Sequence, residues 1–335
     1  MMPKVSVIIV NYNGNGLLRS CLQALERQSL GDFEVVIVDN ASSDSSLYEI
    51  KKFLKGTSLA SRVKVIPVGR NLGFAGGNIE GLKYAEGEYI ALLNNDTEPD
   101  ERWLGEVVEA MDSSPKIGIC ASKMIVHGTD IIDSAGSTFS TALKGFGAGE
   151  KQKNFLNNER RYVFGACAGA ALYRRKMIEE IGFLDEDFFL IHEDIDLSFR
   201  AQLNGWKVLY VPAAIVYHRV RSSIGHMSDM AVYYTLRNSE FVRMKNVPLG
   251  IFIRCFPACL IWTLTEFAYF AIKHKKIGLY FKAKSDAIRM LPKMLKKRAV
   301  IMKEKKMSNK YLLSIMTSLW QKDFLLTKVK KFFYA

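Results

Sequence analysis

Three apolar runs end in polar tips: Val5 to Val10 runs into Asn11, Tyr12 and Asn13; Glu34 to Val38 into Asp39 and Asn40; Tyr89 to Leu93 into Asn94, Asn95 and Asp96. In an open α/β sheet, ligands bind beyond the carboxyl ends of the strands, so three such tips on neighbouring strands face one crevice. A carboxylate there can accept hydrogen bonds from a nucleobase or ribose, and a second can hold a divalent cation that neutralises a diphosphate. The two tasks need two tips, which Asp39 and Asp96 supply. One tip alone would read as a turn cap, where Asp, Asn and Ser bond to nearby backbone; the repetition favours the site.

A fourth cluster, His192, Glu193, Asp194 and Asp196, lies between F-L-D-E-D-F-F-L-I and L-S-F-R. Acids crowded among aromatic residues repel one another and shift their proton affinities, as a general base requires. Acidic residues also complement a helix N-terminus, so Glu193 or Asp196 can cap while Asp194 faces the cleft, with His192 and Glu193 on the acceptor side. His218 ends the run V-P-A-A-I-V-Y-H. Alone it reads as a surface residue, and it gains meaning as a second metal ligand beside Asp96. No second His follows His192-Glu193 four positions on, no calcium-loop spacing occurs, and the Gly-rich stretches at 13–16 and 71–78 do not match G-x-G-x-x-G.

Strand and helix signals alternate through the elements that carry these tips. An apolar stripe at Leu17, Leu18, Cys21, Leu22 and Leu25 follows the first strand, a helix is predicted near Ser46 to Leu54, a strand at Val63 to Pro67, and a helix from about Ala75 to Ala85. This rhythm predicts a parallel sheet covered on both faces. Ile117 to Asp196, richer in Gly, Ala and aromatics, reads as strands and loops that close over the first half. The domain boundary is placed near Asn246, giving a catalytic body at 1–246 and a basic amphipathic helical region at 247–335. Residues 247–335 hold 19 Lys and Arg against 4 Asp and Glu, while the first 246 hold 28 against 30. A neutral body with a cationic appendage suits an anionic surface. Five cysteines form no paired or metal-ligating pattern, which fits a reducing cytoplasm, and the short first apolar run lacks the form of a signal peptide. Arg254, Pro257 and Glu266 interrupt Ile251 to Ile272, short of the roughly 18 apolar residues of a spanning helix. A re-entrant or surface-lying helix is therefore expected, with Trp262, Phe267, Tyr269 and Phe270 adding insertion.

The motifs V-S-V-I-I-V-N-Y-N-G, V-I-V-D-N-A-S-S-D-S-S, R-N-L-G-F-A-G-G-N, L-L-N-N-D-T, G-F-L-D-E-D-F-F-L-I-H-E-D-I-D-L-S-F-R and Y-H-R, in this order over Lys4 to Asn246, resemble the family-2 glycosyltransferases, in particular the rhamnosyltransferase-like branch. The resemblance implies a glycosyltransferase A-type fold, a nucleotide-diphosphate sugar donor (dTDP- or UDP-linked), Mn2+ or Mg2+, and an inverting displacement onto a saccharide hydroxyl. It places Asp39 on the nucleoside with Asn11, Tyr12 and Asn13 beside the base. Asn71 and a loop at Gly76 and Gly77 flank the nucleotide sugar. Asp96 matches the last carboxylate of the Asp-x-Asp metal motif, with Asn94 at its first position and Asn95 between; His218 matches the later metal-binding His, and Asp194 the catalytic base. The basic region then points to a polyprenyl-linked acceptor at an anionic membrane, on the cytoplasmic face, and to no nucleic acid, since no RNA-binding motif accompanies the charge. A nucleotidyltransferase would need a phosphate-gripping Gly and Lys or Arg loop that Asn11 to Gly16 lacks; a non-catalytic sugar-nucleotide binder or scaffold on the same fold is the other alternative.

Overall fold

The computed structural model describes residues 2–149, 152–154, 158–220 and 227–321; the last part of the basic region, 322–335, lies outside them. β-Branched runs form β1 (Val5–Asn11), β2 (Phe33–Asp39) and β3 (Val63–Pro67), joined by α1 (Leu17–Glu26) and α2 (Ser46–Leu54). Helix α3 (Gly73–Leu82) leads to β4 (Tyr89–Leu93), and the four strands pair in parallel in the order β3-β2-β1-β4. The apolar residues of β1, β2 and β4 are buried on both faces, which is why these strands read as unbroken apolar runs and not as alternating ones.

Beyond β4 come β5 (Thr97–Pro99), α4 (Trp103–Asp112), β6 (Ile117–Val126), β7 (Ile132–Ser134), a hairpin of β8 (Ser137–Phe139) and β9 (Gly145–Gly147), β10 (Arg161–Val163) and β11 (Ala170–Arg174). Next follow α5 (Arg175–Ile181), α6 (Glu193–Asn204) and β12 (Lys207–His218). The segment expected to close over the first half instead continues the same sheet: β11 pairs antiparallel with both β4 and β6, and β6 pairs parallel with β12. The mixed sheet, with helices on both sides, has the glycosyltransferase A-type architecture.

The helical region comprises α7 (Asp229–Asn246), α8 (Leu249–Phe267), α9 (Ile277–Arg289), α10 (Leu291–Glu304) and α11 (Asn309–Ile315). The basic stretch from Ile277 to Val300 divides into α9 and α10, with Pro292 in the first turn of α10, where its missing N–H costs nothing. The interruptions expected between Ile251 and Ile272 do not occur. Helix α8 runs through Pro257 and continues as a π-helical turn, so Leu249–Lys273 is 25 residues long and contains an 18-residue window of mean hydropathy 1.5, long and apolar enough by length and composition to cross a membrane. Arg254 is exposed, and Glu266 is buried against Lys144 and Lys284, so neither charge breaks the helix. The aromatics expected to insert are partly engaged within the protein: Trp262 packs edge-on against Phe146 and Phe267 against Tyr280. Phe139, Phe164 and Phe199 share a core with Phe241, Ile251, Met294 and Leu312, so the helices past Asn246 are packed into the body.

Candidate active site

The register of β1 and β2 sets Asn11 beside Asp39. Asn11 Nδ2 donates toward Asp39 Oδ1 (3.3 Å), Ser42 Oγ (3.1 Å) and Ser46 Oγ (3.0 Å), and Asn11 Oδ1 accepts from Asn95 Nδ2 (3.0 Å). One buried amide thus ties the tips of β1, β2 and β4 together. A side chain at Gly14 would collide with both Asn11 and Asn95, so the turn must carry glycine. Asn13, at φ 51°, accepts from the Ser43 N–H (2.8 Å), and Tyr12 stands half exposed at the rim. Asn40 Nδ2 donates to Asn71 Oδ1 (2.9 Å), and the Leu72 N–H to Asn40 Oδ1 (2.8 Å), which closes the far side. Gly76 and Gly77, expected in a loop, lie inside α3; a Cβ on Gly77 would come within 2.7 Å of Val10, so that glycine lets the helix pack on β1 and does not line the crevice.

Asp96 is buried, and its Oδ1 lies 3.3 Å from His218 Nε2, while His218 Nδ1 lies 2.8 Å from Asp133 Oδ2. Burial opposes charging the ring, but Asp133 and Asp96 outweigh it and hold His218 up at about 9. Among the described residues no three His, Cys, Asp or Glu side chains converge as a metal cluster. The donor set of one carboxylate and one imidazole oriented by a second carboxylate would fit a single divalent cation that displaces the Nε2 proton.

Asp194 is half-buried in the first turn of α6, where Oδ2 accepts from the Ala168 N–H (3.3 Å) and Oδ1 from the Ile195 N–H (2.7 Å). The neighbouring Gly169 carbonyl accepts from the Asn94 N–H (2.9 Å), two residues before Asp96. The turn Cys167–Gly169 therefore lies between the candidate base and the candidate metal tip. Burial pushes the Cys167 thiol far up, and the charges of Asp194 and Asp133 add to this, so both carboxylates stand around the same turn. Burial raises Asp194 above the ordinary carboxylate range, against the pull of its two N–H donors, and raises Glu193 as well, with the Asp194 charge adding. Glu193 is buried with Oε2 unpartnered among the described residues, and burial together with the Asp194 charge favours its protonated form. His192 likewise has a buried, unpartnered Nε2 among the described residues; burial and the charge of Lys144 hold it down at about 3, so it is neutral. Asp196 is structural, fixed by Arg200 Nε (2.9 Å), Lys245 Nζ (2.8 Å) and Asn246 Nδ2 (2.8 Å).

The approach to α6 is strained. Phe189, Ile191 and His192 adopt φ of 64°, 66° and 72°, which L-residues, and β-branched ones above all, avoid. Asn238 of α7 holds them: its Nδ2 donates to the carbonyls of Phe188 (2.9 Å), Leu190 (2.7 Å) and Ile191 (2.7 Å), and Arg237 Nη2 adds a bond to Asp187 O (2.8 Å). Lys293 and Lys297 of α10 pair with Asp187, and Lys297 also with Asp185. Sequence reasoning missed Asn238 and Asp133. The one local hint to Asn238 is a buried polar residue in a helix; Asp133 leaves none.

A mixed sheet with a nucleotide-type crevice at its parallel strand ends, and an acidic helix start across one turn from it, defines a sugar-transferase class of fold. The chain belongs to glycosyl transferase family 2, whose family model matches residues 6–182, more than half of it. It is 24% identical over 262 residues to the putative glycosyltransferase EpsH of Bacillus subtilis, covering 73% of this chain and 70% of that protein. It is 22% identical over 274 residues to the poly-beta-1,6-N-acetyl-D-glucosamine synthase of Staphylococcus epidermidis, covering 79% and 64%. An uncharacterized protein, y4gI of Sinorhizobium fredii, is 29% identical over 67% of this chain, which spans only 25% of that relative's length. Among solved structures, S. aureus TarS 1-349 in complex with UDP-GlcNAc is similar at TM-score 0.56 and 20% identity, covering 90% of this chain and 87% of that one. The mannosyltransferase PcManGT from Pyrobaculum calidifontis, in complex with GDP-Man and Mn2+, is similar at TM-score 0.56 and 14% identity, covering 99% and 88%.

Proposed function

We propose that this chain is an inverting transferase that moves a sugar, with rhamnose favoured, from a dTDP- or UDP-linked donor to a hydroxyl of a polyprenyl-linked saccharide during cell-surface polysaccharide synthesis. The carrying observation is the Cys167–Gly169 turn, which bonds Asp194 on one side and Asn94 on the other and so supports a reading in which base and donor tips serve one sugar. UDP-GlcNAc and GDP-Man in the similar structures support a nucleotide-sugar donor, and the similarity to EpsH and the poly-N-acetylglucosamine synthase supports polysaccharide synthesis.

In this reading Asp39 and Asn11 orient the nucleoside, and Asn71 and Asn40 close its far side. Asp96 and His218 would hold Mn2+ or Mg2+, which when bound would supply positive charge to the departing diphosphate. Asp194 takes the acceptor hydroxyl's proton as the hydroxyl attacks the anomeric carbon from the face opposite the leaving group, and the configuration inverts. The Ala168 and Ile195 N–H groups fix the carboxylate for that transfer. The basic helices beyond Asn246 rest on the cytoplasmic face of the membrane. Helix α8 lies on the surface in this reading, because crossing would pull buried Glu266 from Lys144 and Lys284.

A thermal-shift panel of nucleotide sugars with and without Mn2+ identifies the donor by mass action. Asp194→Asn should then retain the donor shift and lose transfer by about a hundred-fold to ten-thousand-fold. Unchanged turnover in that variant refutes the assignment, and donor binding with no nucleotide diphosphate released by the native chain favours a non-catalytic binder.

A further inference from the structure

A groove of about 600 Å³ lies where α7, α8 and α10 meet, a volume in the range of small-molecule sites. Phe252, Phe256 and Leu260 of α8 and Leu295 of α10 give it apolar walls, while Arg243 and Arg298 give it a cationic end. Arg243 donates to Glu240 and to the Leu143 carbonyl, yet its Nη2 is buried with no hydrogen-bond partner among the described residues. Arg298 is anchored through Nη1 on the carbonyls of Met244 and Val247. Among the described residues Lys144, Lys284 and Arg243 pair with Glu240 and Glu266, and with Arg298 the cations at this end outnumber those two acids.

Two features say what the groove meets. Leu249, Ile253, Phe256, Leu260 and Leu264 recur at helical spacing on α8 and are 47–65% exposed, so the apolar wall continues onto an open apolar stripe beside the basic surface of α10. On its inner side, Arg243 holds Leu143, and Gly145, two residues on, packs so tightly on Ile195 that a Cβ there would come within 2.9 Å. Ile195 follows Asp194, so the groove and the candidate base share one short piece of chain.

We propose that this groove binds an isoprenyl phosphate drawn from the membrane, its apolar tail along Phe252, Phe256 and Leu260 and its phosphate on Arg243 and Arg298. The inference rests on the lipid-linked acceptor reading and gives that acceptor its place. An apolar channel that runs onto an exposed apolar stripe, and ends at Arg298 and at the Arg243 Nη2 left unpartnered among the described residues beside the Arg243–Glu240 pair, matches an anionic amphiphile and neither a free anion nor a neutral lipid.

Calorimetric titration of the full chain with farnesyl phosphate, farnesol and inorganic phosphate tests it. Farnesyl phosphate should bind about ten-fold or more tightly than either half-ligand. Arg298→Gln should cost about ten-fold toward farnesyl phosphate and nothing toward farnesol. Leu260→Glu, at an exposed position whose melting temperature reports folding, should weaken both lipids and leave the donor thermal shift unchanged. No binding of farnesyl phosphate, equal binding of farnesol, or indifference to both substitutions overturns the proposal. Transfer of sugar to a water-soluble saccharide is measured alongside. Turnover without farnesyl phosphate binding refutes the groove alone, and binding without any donor turnover refutes the transferase reading alone.

Discussion

Replacing Asn238 by Leu, of similar size, removes a donor that serves three carbonyls ahead of α6. The Phe188 carbonyl keeps Arg237, but those of Leu190 and Ile191 lose the side-chain partner described for them. Two buried carbonyls left unsatisfied at about 1–3 kcal/mol each set a gross cost of about 2–6 kcal/mol. The loop has a way to relax, because left-handed Phe189, Ile191 and His192 each store about 1–3 kcal/mol that the clamp holds in place. Partial relaxation brings the net loss to about 2–4 kcal/mol and moves the start of α6. Asp194 then no longer meets the acceptor squarely, and a displacement of about 1 Å costs about a hundred-fold in rate. Urea denaturation reads the first number, and steady-state transfer with the donor found by the panel reads the second. Donor affinity, which the proposed function assigns to the tips of β1, β2 and β4, should be kept. A variant with native turnover, or one that loses donor affinity while keeping turnover, refutes the idea that α7 positions the base.

Because burial raises Asp194 and the base must be ionised, kcat/KM should fall on acidification with its midpoint above the ordinary Asp value of about 3.9, and Asp194→Asn should flatten that limb. A midpoint at or below that value removes Asp194 from the role. Glu193 is also raised, so the folded state holds its proton more tightly than the unfolded one: its stability contribution is present at low pH and is lost as pH rises through the folded value. Glu193→Gln should therefore gain about 1–3 kcal/mol relative to the native chain at alkaline pH and little near pH 4. Melting curves from pH 4 to 9 check this, and a difference that does not change with pH contradicts it. Asp133→Asn should weaken Mn2+ binding about ten-fold to a hundred-fold, read from the electron paramagnetic signal of free Mn2+, because the 2.8 Å bond to Nδ1 fixes the ring that would offer Nε2 to the cation. Unaltered affinity leaves Asp133 without that task.

Local pattern carried much of the fold. Unbroken apolar runs in β1, β2 and β4 marked strands buried on both faces, each ending in Asn or Asp, and the structure sets those three tips side by side. The six ordered motifs reached the family because they sit at strand ends and at the starts of α3 and α6, where side chain and backbone are neighbours in sequence. The continuous helix through Pro257 could not be read this way. Pattern counts Glu266 as an interruption, and only packing supplies the Lys144 that neutralises it from 122 residues away.

The amino-acid sequence by itself determined the strand-helix rhythm, the polar tips and the acidic helix start, because each depends on residues within a few positions of one another. Tertiary structure alone decided that β11 would run antiparallel between β4 and β6, that Asp133 would reach His218 across 85 positions, and that Asn238 would hold the turn before Asp194. Those outcomes rest on hydrogen bonds between distant segments, whose partners become neighbours only once the sheet and the helices have packed together.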